Sequence, residues 1–153
     1  MNLTKQYAVA SICNGTVIDH IQAGSALKIV SLLRLAEHQK IVTLGLNLPS
    51  NRLGIKDLIK VEDRKLDPEE VNQVALFAPN ATISIIANYD VVQKYPICIP
   101  DRIQGVISCT NPKCISNHEK IKSYLYVIQK MDQSVRLRCH YCRKIISREE
   151  IKS

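Results

Sequence analysis

Two close pairs of cysteines constrain this chain more than any other feature. Cys109 and Cys114 bracket Thr-Asn-Pro-Lys, and 24 residues later Cys139 and Cys142 bracket His-Tyr. Two turns that each offer two thiolates, brought together by a β-like segment, are the sequence form of a tetrahedral Zn²⁺ site. Zinc suits four thiolates because it is d¹⁰, redox-inert and content with tetrahedral geometry. Four thiolates complete the shell, so one structural zinc per chain is expected, whereas a catalytic zinc keeps a position for water. His118 and His140 then read as loop residues rather than ligands. The alternative use of these cysteines is two disulfides, which need an oxidising compartment. Met1–Tyr7 lacks the apolar core of a signal peptide, and no apolar run is long enough to cross a bilayer. The expectation is a reducing cytoplasm, no membrane and zinc rather than disulfides, with Cys13 and Cys98 as ordinary small residues.

Charge separates the two ends of the chain. Residues 1–100 carry 10 Lys+Arg against 9 Asp+Glu, whereas residues 101–153 carry 11 against 5, a net +6. A basic zinc ribbon can meet nucleic acid or an acidic protein surface. Pro96, Pro100 and Asp101 mark the junction, dividing the chain into a domain at 1–100 and a smaller one at 101–153.

Along the first domain, Tyr7–Ile12 and Thr16–Ile21 read as strands interrupted at Asn14-Gly15. Ser25 is the expected cap of a helix whose apolar face runs from Ala26 to Ala36. Ile41–Leu48 alternates as a half-buried strand, and Lys56–Glu62 is the next, with Lys56, Leu58, Lys60 and Glu62 on one face. Asp67-Pro68-Glu69-Glu70 opens a second helix with a capping box, and Pro79-Asn80 ends it. Thr82–Ala87 and Tyr89–Tyr95 are further strands. The order strand, helix, strand, strand, helix, strand fits a ferredoxin-like antiparallel sheet with two helices. In the second domain Ser123–Ile128 and Ser134–Cys139 are strands, giving a small all-β zinc-ribbon-like unit. The fold class is therefore α+β. A domain of this size has little core, so its metal should supply much of its folding free energy.

Several stretches, taken in order, carry a resemblance. They are Gly15-Thr-Val-Ile-Asp-His20, Gly45-Leu-Asn-Leu-Pro-Ser50, Lys56-Asp-Leu-Ile-Lys60, Ala78-Pro-Asn-Ala-Thr82, Asn88-Tyr-Asp-Val-Val92 and the cysteine set with Cys114-Ile-Ser. The chain resembles the aspartate carbamoyltransferase regulatory-chain family over nearly its whole length. That resemblance implies a non-catalytic subunit controlling pyrimidine biosynthesis. Its first domain would bind nucleoside triphosphates, namely ATP and CTP, with UTP a third candidate. Its zinc domain would dock on the catalytic chain, and regulatory homodimers would bridge catalytic trimers. Carried over by position, Asp19 and Lys60 would contact the ribose, and Lys94 the triphosphate, with His20 and Lys56 nearby. Backbone groups around Ile12, Ile86 and Tyr89 would read the base edge, and Val9 and Val91 would line the pocket. The chain departs from the family pattern at Ala10, at Ser84 and at Arg143, which stands where an acidic interface residue is expected.

Two readings of other classes compete. A zinc-ribbon nucleic-acid-binding protein would use the basic C-terminal segment, but that segment shows tyrosines without an aromatic–basic stacking pattern. A small zinc or thiol enzyme would need an open coordination position or a paired nucleophile and base. The expectation is therefore no enzyme activity and no nucleic-acid partner.

Overall fold

The computed structural model describes residues 11–105, 107–131 and 134–151, in two compact units, Met1–Ile97 and Cys98–Ser153. Val9, Ala10 and most of the expected strand at 7–12 lie outside the described residues. In the first unit the elements are β1 Gly15–Gln22, α1 Ala26–Leu32, a 3-10 turn at Leu35–Glu37, β2 Val42–Ser50, β3 Gly54–Glu62, α2 Pro68–Phe77, β4 Thr82–Ala87 and β5 Asp90–Pro96. The strands pair antiparallel in the order β2-β3-β1-β4-β5. Without the edge strand β5, this is the βαββαβ arrangement of a ferredoxin-like sandwich.

Period-two alternation divides the sheet into two faces. Ile18, Ile59, Val61 and Ile83 are buried on one face, together with Ile29 of α1 and Val74 and Leu76 of α2. Full burial of each such side chain contributes roughly 1.5–3 kcal/mol. The intervening residues of β1, β3 and β4 point the other way. Gly15 is required where β1 begins, because a Cβ there would sit 2.1 Å from the Val61 carbonyl oxygen.

The two helices start by different devices. Asp67 caps α2 as expected: its side chain accepts from the Glu70 N–H at 2.8 Å, and Glu70 Oε1 accepts from the Asp67 N–H at 3.2 Å. Ser25 makes no side-chain cap to α1. That task falls to Asp57 of β3, only 1% exposed, whose Oδ2 accepts from the N–H groups of Gly24 (2.9 Å) and Ala26 (3.2 Å). Asp57 Oδ1 accepts from the Asn47 N–H at 3.1 Å, inside the register shift of β2 between Gly45 and Leu48. One buried carboxylate thus satisfies a helix start and an edge-strand bulge. Asp57→Ala leaves these donors without their acceptor, and the expected loss of stability is at least about 3 kcal/mol. Urea unfolding checks it; a loss below about 1 kcal/mol would mean that water replaces the carboxylate.

The apolar pattern of α1 runs on past its end. Arg34 takes a left-handed conformation at φ 53° and breaks the helix, while Leu33 and Leu35 on either side remain buried. Leu27, expected on the inward face, is 60% exposed.

The second unit is a four-stranded antiparallel sheet, β6 Arg102–Gln104, β7 Tyr124–Met131, β8 Ser134–Cys139 and β9 Ile145–Ser147, in sequence order. The short outer strands β6 and β9 escape sequence reading. Ile103, Leu125, Leu137 and Ile146 form its small core.

Candidate functional site

The four cysteines converge. Each offers one Sγ, and the four sulfurs lie within 4.8 Å of one another. Cys109 to Cys142 and Cys114 to Cys139 are both 3.6 Å apart, so no pair is disulfide-bonded. An ion at the zinc–thiolate distance of about 2.3 Å spans a tetrahedron with edges of about 3.8 Å. The cage therefore has the dimensions and the donor set for a structural metal with a closed shell.

Local hydrogen bonds shape both turns. The Asn111 N–H points to Cys109 Sγ (3.4 Å), and Asn117 Nδ2 donates to the carbonyls of Cys109 (2.9 Å) and Asn111 (2.7 Å). In the second turn the Cys139 N–H donates to Lys144, and the N–H of Arg143 to Cys139, both at 3.0 Å. Such outer contacts orient thiolates toward a metal. Neither histidine joins the cage: His118 Nε2 meets the Pro112 carbonyl at 2.6 Å, and His140 Nδ1 meets Tyr126 OH at 2.9 Å. Burial pushes the metal-free Cys109 thiol up to about 12. Burial opposes ionisation of Cys142 as well, but hydrogen bonds from Lys144 N–H and Asn111 outweigh it and draw that thiol down to about 7. Protons therefore compete with metal for the cage, and affinity falls with acidification.

The second constellation lies on the sheet face opposite the helices. Register places Lys60, Val17, Ser84 and Lys94 in one row across β3, β1, β4 and β5. Asp19 lies two residues from Val17, opposite Thr82; Gly15 pairs with Ile86, and Ile86 with Val91. The three rows span about 13 Å at the usual rise per residue. Asp19 is ion-paired to Lys56 Nζ at 2.8 Å and accepts from the His20 N–H at 2.6 Å. His20 stands at a bulge with φ 57°, and its Nδ1 meets Thr82 Oγ1 at 3.1 Å.

The electrostatics tie these groups together. Burial raises the Asp19 pKa, but Lys56 and the His20 N–H prevail and hold the carboxyl below 3.8. The stability this pair gives is fully present above pH 3.8 and is lost as pH falls through the lower folded value. Burial lowers the His20 pKa; Asp19 opposes this, while Lys56, Arg52 and Lys94 add to it. Burial likewise lowers Lys60, against the pull of Asp19. His20, Ser50, Arg52 and Lys56 line a hollow of about 270 Å³. Ser50 at the end of β2 and Arg52 on the β2–β3 turn are missed by sequence reading, since they reach the site only through strand pairing. At the other end of the face, the Tyr89 N–H donates to the Cys13 carbonyl at 2.9 Å, setting the buried Ile12 segment beside the turn. The Tyr89 side chain itself is 67% exposed.

Sequence reading finds no aromatic–basic stacking pattern in the C-terminal segment, and the rings gathered there are tilted against each other rather than stacked. They form a cluster with basic residues, made of Tyr124, Tyr126, His140, Arg102 and Arg138. Antiparallel register assembles it from residues far apart in sequence, and only alternation at 124/126 and 136/138 hints at it.

A ferredoxin-like domain with a charged open face and a small β domain whose four cysteines form a cage fit for a structural metal define a two-domain protein of the α+β class. Comparison with known proteins agrees. Residues 7–98 match the family described as aspartate carbamoyltransferase regulatory chain, allosteric domain, and residues 101–152 match its metal binding domain. The chain is 48% identical over 145 residues to the aspartate carbamoyltransferase regulatory chain of Pyrococcus abyssi, covering 94% of each. It is 47% identical over 149 residues to that of Tolumonas auensis, covering 97% of this chain and 96% of the relative. It is 46% identical over 141 residues to that of Chromobacterium violaceum, covering 92% of each. The chain belongs to the aspartate carbamoyltransferase regulatory-chain family, and it is a regulatory rather than a catalytic subunit. Among the described residues no helix is long and apolar enough to cross a membrane.

Proposed function

We propose that the first unit binds nucleoside triphosphates on its open sheet face and that the second unit, folded around one zinc, docks on the catalytic chain of aspartate carbamoyltransferase in the cytoplasm. The observation that carries this reading is the convergence of Asp19, Lys56, Lys60 and Lys94 from three strands onto one face. Asp19 would accept from ribose hydroxyls, with Lys60 beside it. Lys94, Lys56 and His20 supply positive charge for a polyphosphate, a task suited to flexible point charges with several donors. Ile12, Ile86, Tyr89 and Val91 mark the end that takes the base, and Val9 is assigned there with them. ATP and CTP are the proposed effectors, with UTP a third.

Zinc is favoured over other ions by four thiolates at tetrahedral spacing. A homodimer is favoured by the outer edge of β2, where Leu46 is 46% exposed beside the exposed Leu27, with Ile41 and Ile55 also open to solvent.

Lys94→Ala should weaken triphosphate binding about tenfold to a hundredfold, from the roughly 1.5–3 kcal/mol of a charge-assisted contact. The free nucleoside should lose little. Asp19→Ala should weaken both. Calorimetry that finds equal losses for nucleoside and triphosphate in Lys94→Ala would contradict the role given to Lys94.

A further inference from the structure

The outer face of the C-terminal sheet carries a cluster that the metal cage does not use. Register sets Arg102, Tyr126, Arg138 and Ile145 side by side across β6, β7, β8 and β9. Tyr124 and His140 complete the cluster, each with its ring centroid 5.0 Å from the other and within 5.7 Å of Tyr126. The Arg138 guanidinium lies 5.6 Å from the Tyr126 ring centroid, and Arg102 Nη1 donates to Tyr124 OH at 3.2 Å. Arg102, Arg138 and His140 are exposed, as is Ile145 at 43%. Among the described residues no carboxylate occupies a register position in this row.

We propose that this face seats an acidic segment of the catalytic chain, whose carboxylates engage Arg102 and Arg138 while an apolar side chain between them lies against Tyr126 and a second meets Ile145 beyond Arg138. The inference rests on the docking role proposed above and adds where on the domain the partner sits and by what chemistry. A guanidinium fork matches a carboxylate in two parallel hydrogen bonds. The two arginines stand two strand spacings apart, about 10 Å, so the partner presents two acidic groups at that separation. Tyr126 and Tyr124 already spend their hydroxyls on His140 and Arg102, which holds the aromatic floor in place before the partner arrives. Tyrosine and arginine are the residues that carry most energy at interfaces. Residues 101–153 carry a net +6, or +4 once four thiolates and one Zn²⁺ are counted (−4 + 2), which steers an acidic partner toward this end.

Two other occupants fit less well. The rings are tilted by 43° to 64° against each other, and Arg138 covers one face of Tyr126, so successive bases find no parallel platform. A second copy of the chain, in a two-fold contact, would bring arginines against arginines.

The test titrates the full metal-loaded chain against the catalytic chain, comparing wild type with Arg138→Glu, Arg102→Glu and Arg138→Lys. Each charge reversal should weaken association at least tenfold, with Arg138→Lys between them and wild type. Metal content and nucleotide affinity should stay unchanged. If both reversals bind as wild type does, the face is not the seat, although the docking role stands. If the wild-type chain does not bind the catalytic chain, both fall. If a single-stranded RNA oligonucleotide displaces the catalytic chain from the wild type and loses affinity in both reversals, the occupant is nucleic acid and the proposal is overturned. Should Arg138→Glu lose its metal, Arg102→Glu, on another strand, decides alone.

Discussion

Replacing Cys139 with serine is expected to unfold residues 98–153 and to leave the first unit folded. Cys139 is fully buried, pairs with Leu125 in the register of β7 and β8, and has its sulfur 3.6 Å from that of Cys114. A domain this small holds about 3–8 kcal/mol of net stability at the usual value per residue. A four-cysteine zinc site contributes on the order of 10–16 kcal/mol near neutral pH, more than the whole of that margin. Losing one ligand is therefore decisive for the second unit. The first unit has its own core around Ile18, Ile59, Leu76 and Ile83 and shares no cysteine with the cage. Amide resonances and metal content of the variant check the result together. Native dispersion for residues 98–153 with metal absent would show that the sheet folds on its own apolar contacts. Acid should act in the same direction as the mutation, since protons compete with the metal for Cys142, whose metal-free thiol lies at about 7, and for Cys109, pushed up to about 12.

Features that depend on near neighbours were legible in the sequence. The strands at Thr82–Ala87 and Ser134–Cys139 have the bounds that alternation gives them. The Asp67–Glu70 capping box is a four-residue signal and forms as written. The cysteine cage is legible for a similar reason, because each half is a short turn and only one long-range step joins them. What the sequence conceals is set by tertiary partners. Ser25 stands at the right position to cap α1, but a buried carboxylate from β3 outcompetes it. The helix period continues through Arg34, yet that residue turns left-handed, and Leu33 and Leu35 reach the core on both sides of the break. β6 and β9 have three residues each, too few for alternation to register, and are held by pairing with longer neighbours. Arg52 reaches the open sheet face and Arg138 the aromatic cluster only through strand register, which one sequence does not contain.

Stripping the metal from the assembled complex is expected to release catalytic chains that remain active but no longer respond to nucleotides. A regulatory subunit changes a reaction only by binding two states of an assembly with different free energies. The proposed effector groups Asp19, Lys60 and Lys94 lie in the first unit, whereas the thiolate cage lies in the second. In the proposed complex the metal would hold the turns Thr110–Lys113 and His140–Arg143 in the shape the partner meets, and four thiolates would leave it no open position for substrate. Its loss therefore dissolves the contact rather than the chemistry. Allosteric coupling is usually about 1–3 kcal/mol, so nucleotides should shift apparent aspartate affinity roughly 5- to 150-fold in the intact complex and not at all after chelation. The experiment mixes this chain with the catalytic chain, with and without chelator, and follows activity across aspartate concentrations with ATP or CTP added. Sedimentation reports the state of assembly in the same samples. Re-adding zinc should restore both the complex and the response. If the response to nucleotide survives in samples where metal and complex are both gone, the effect does not pass through docking of this chain.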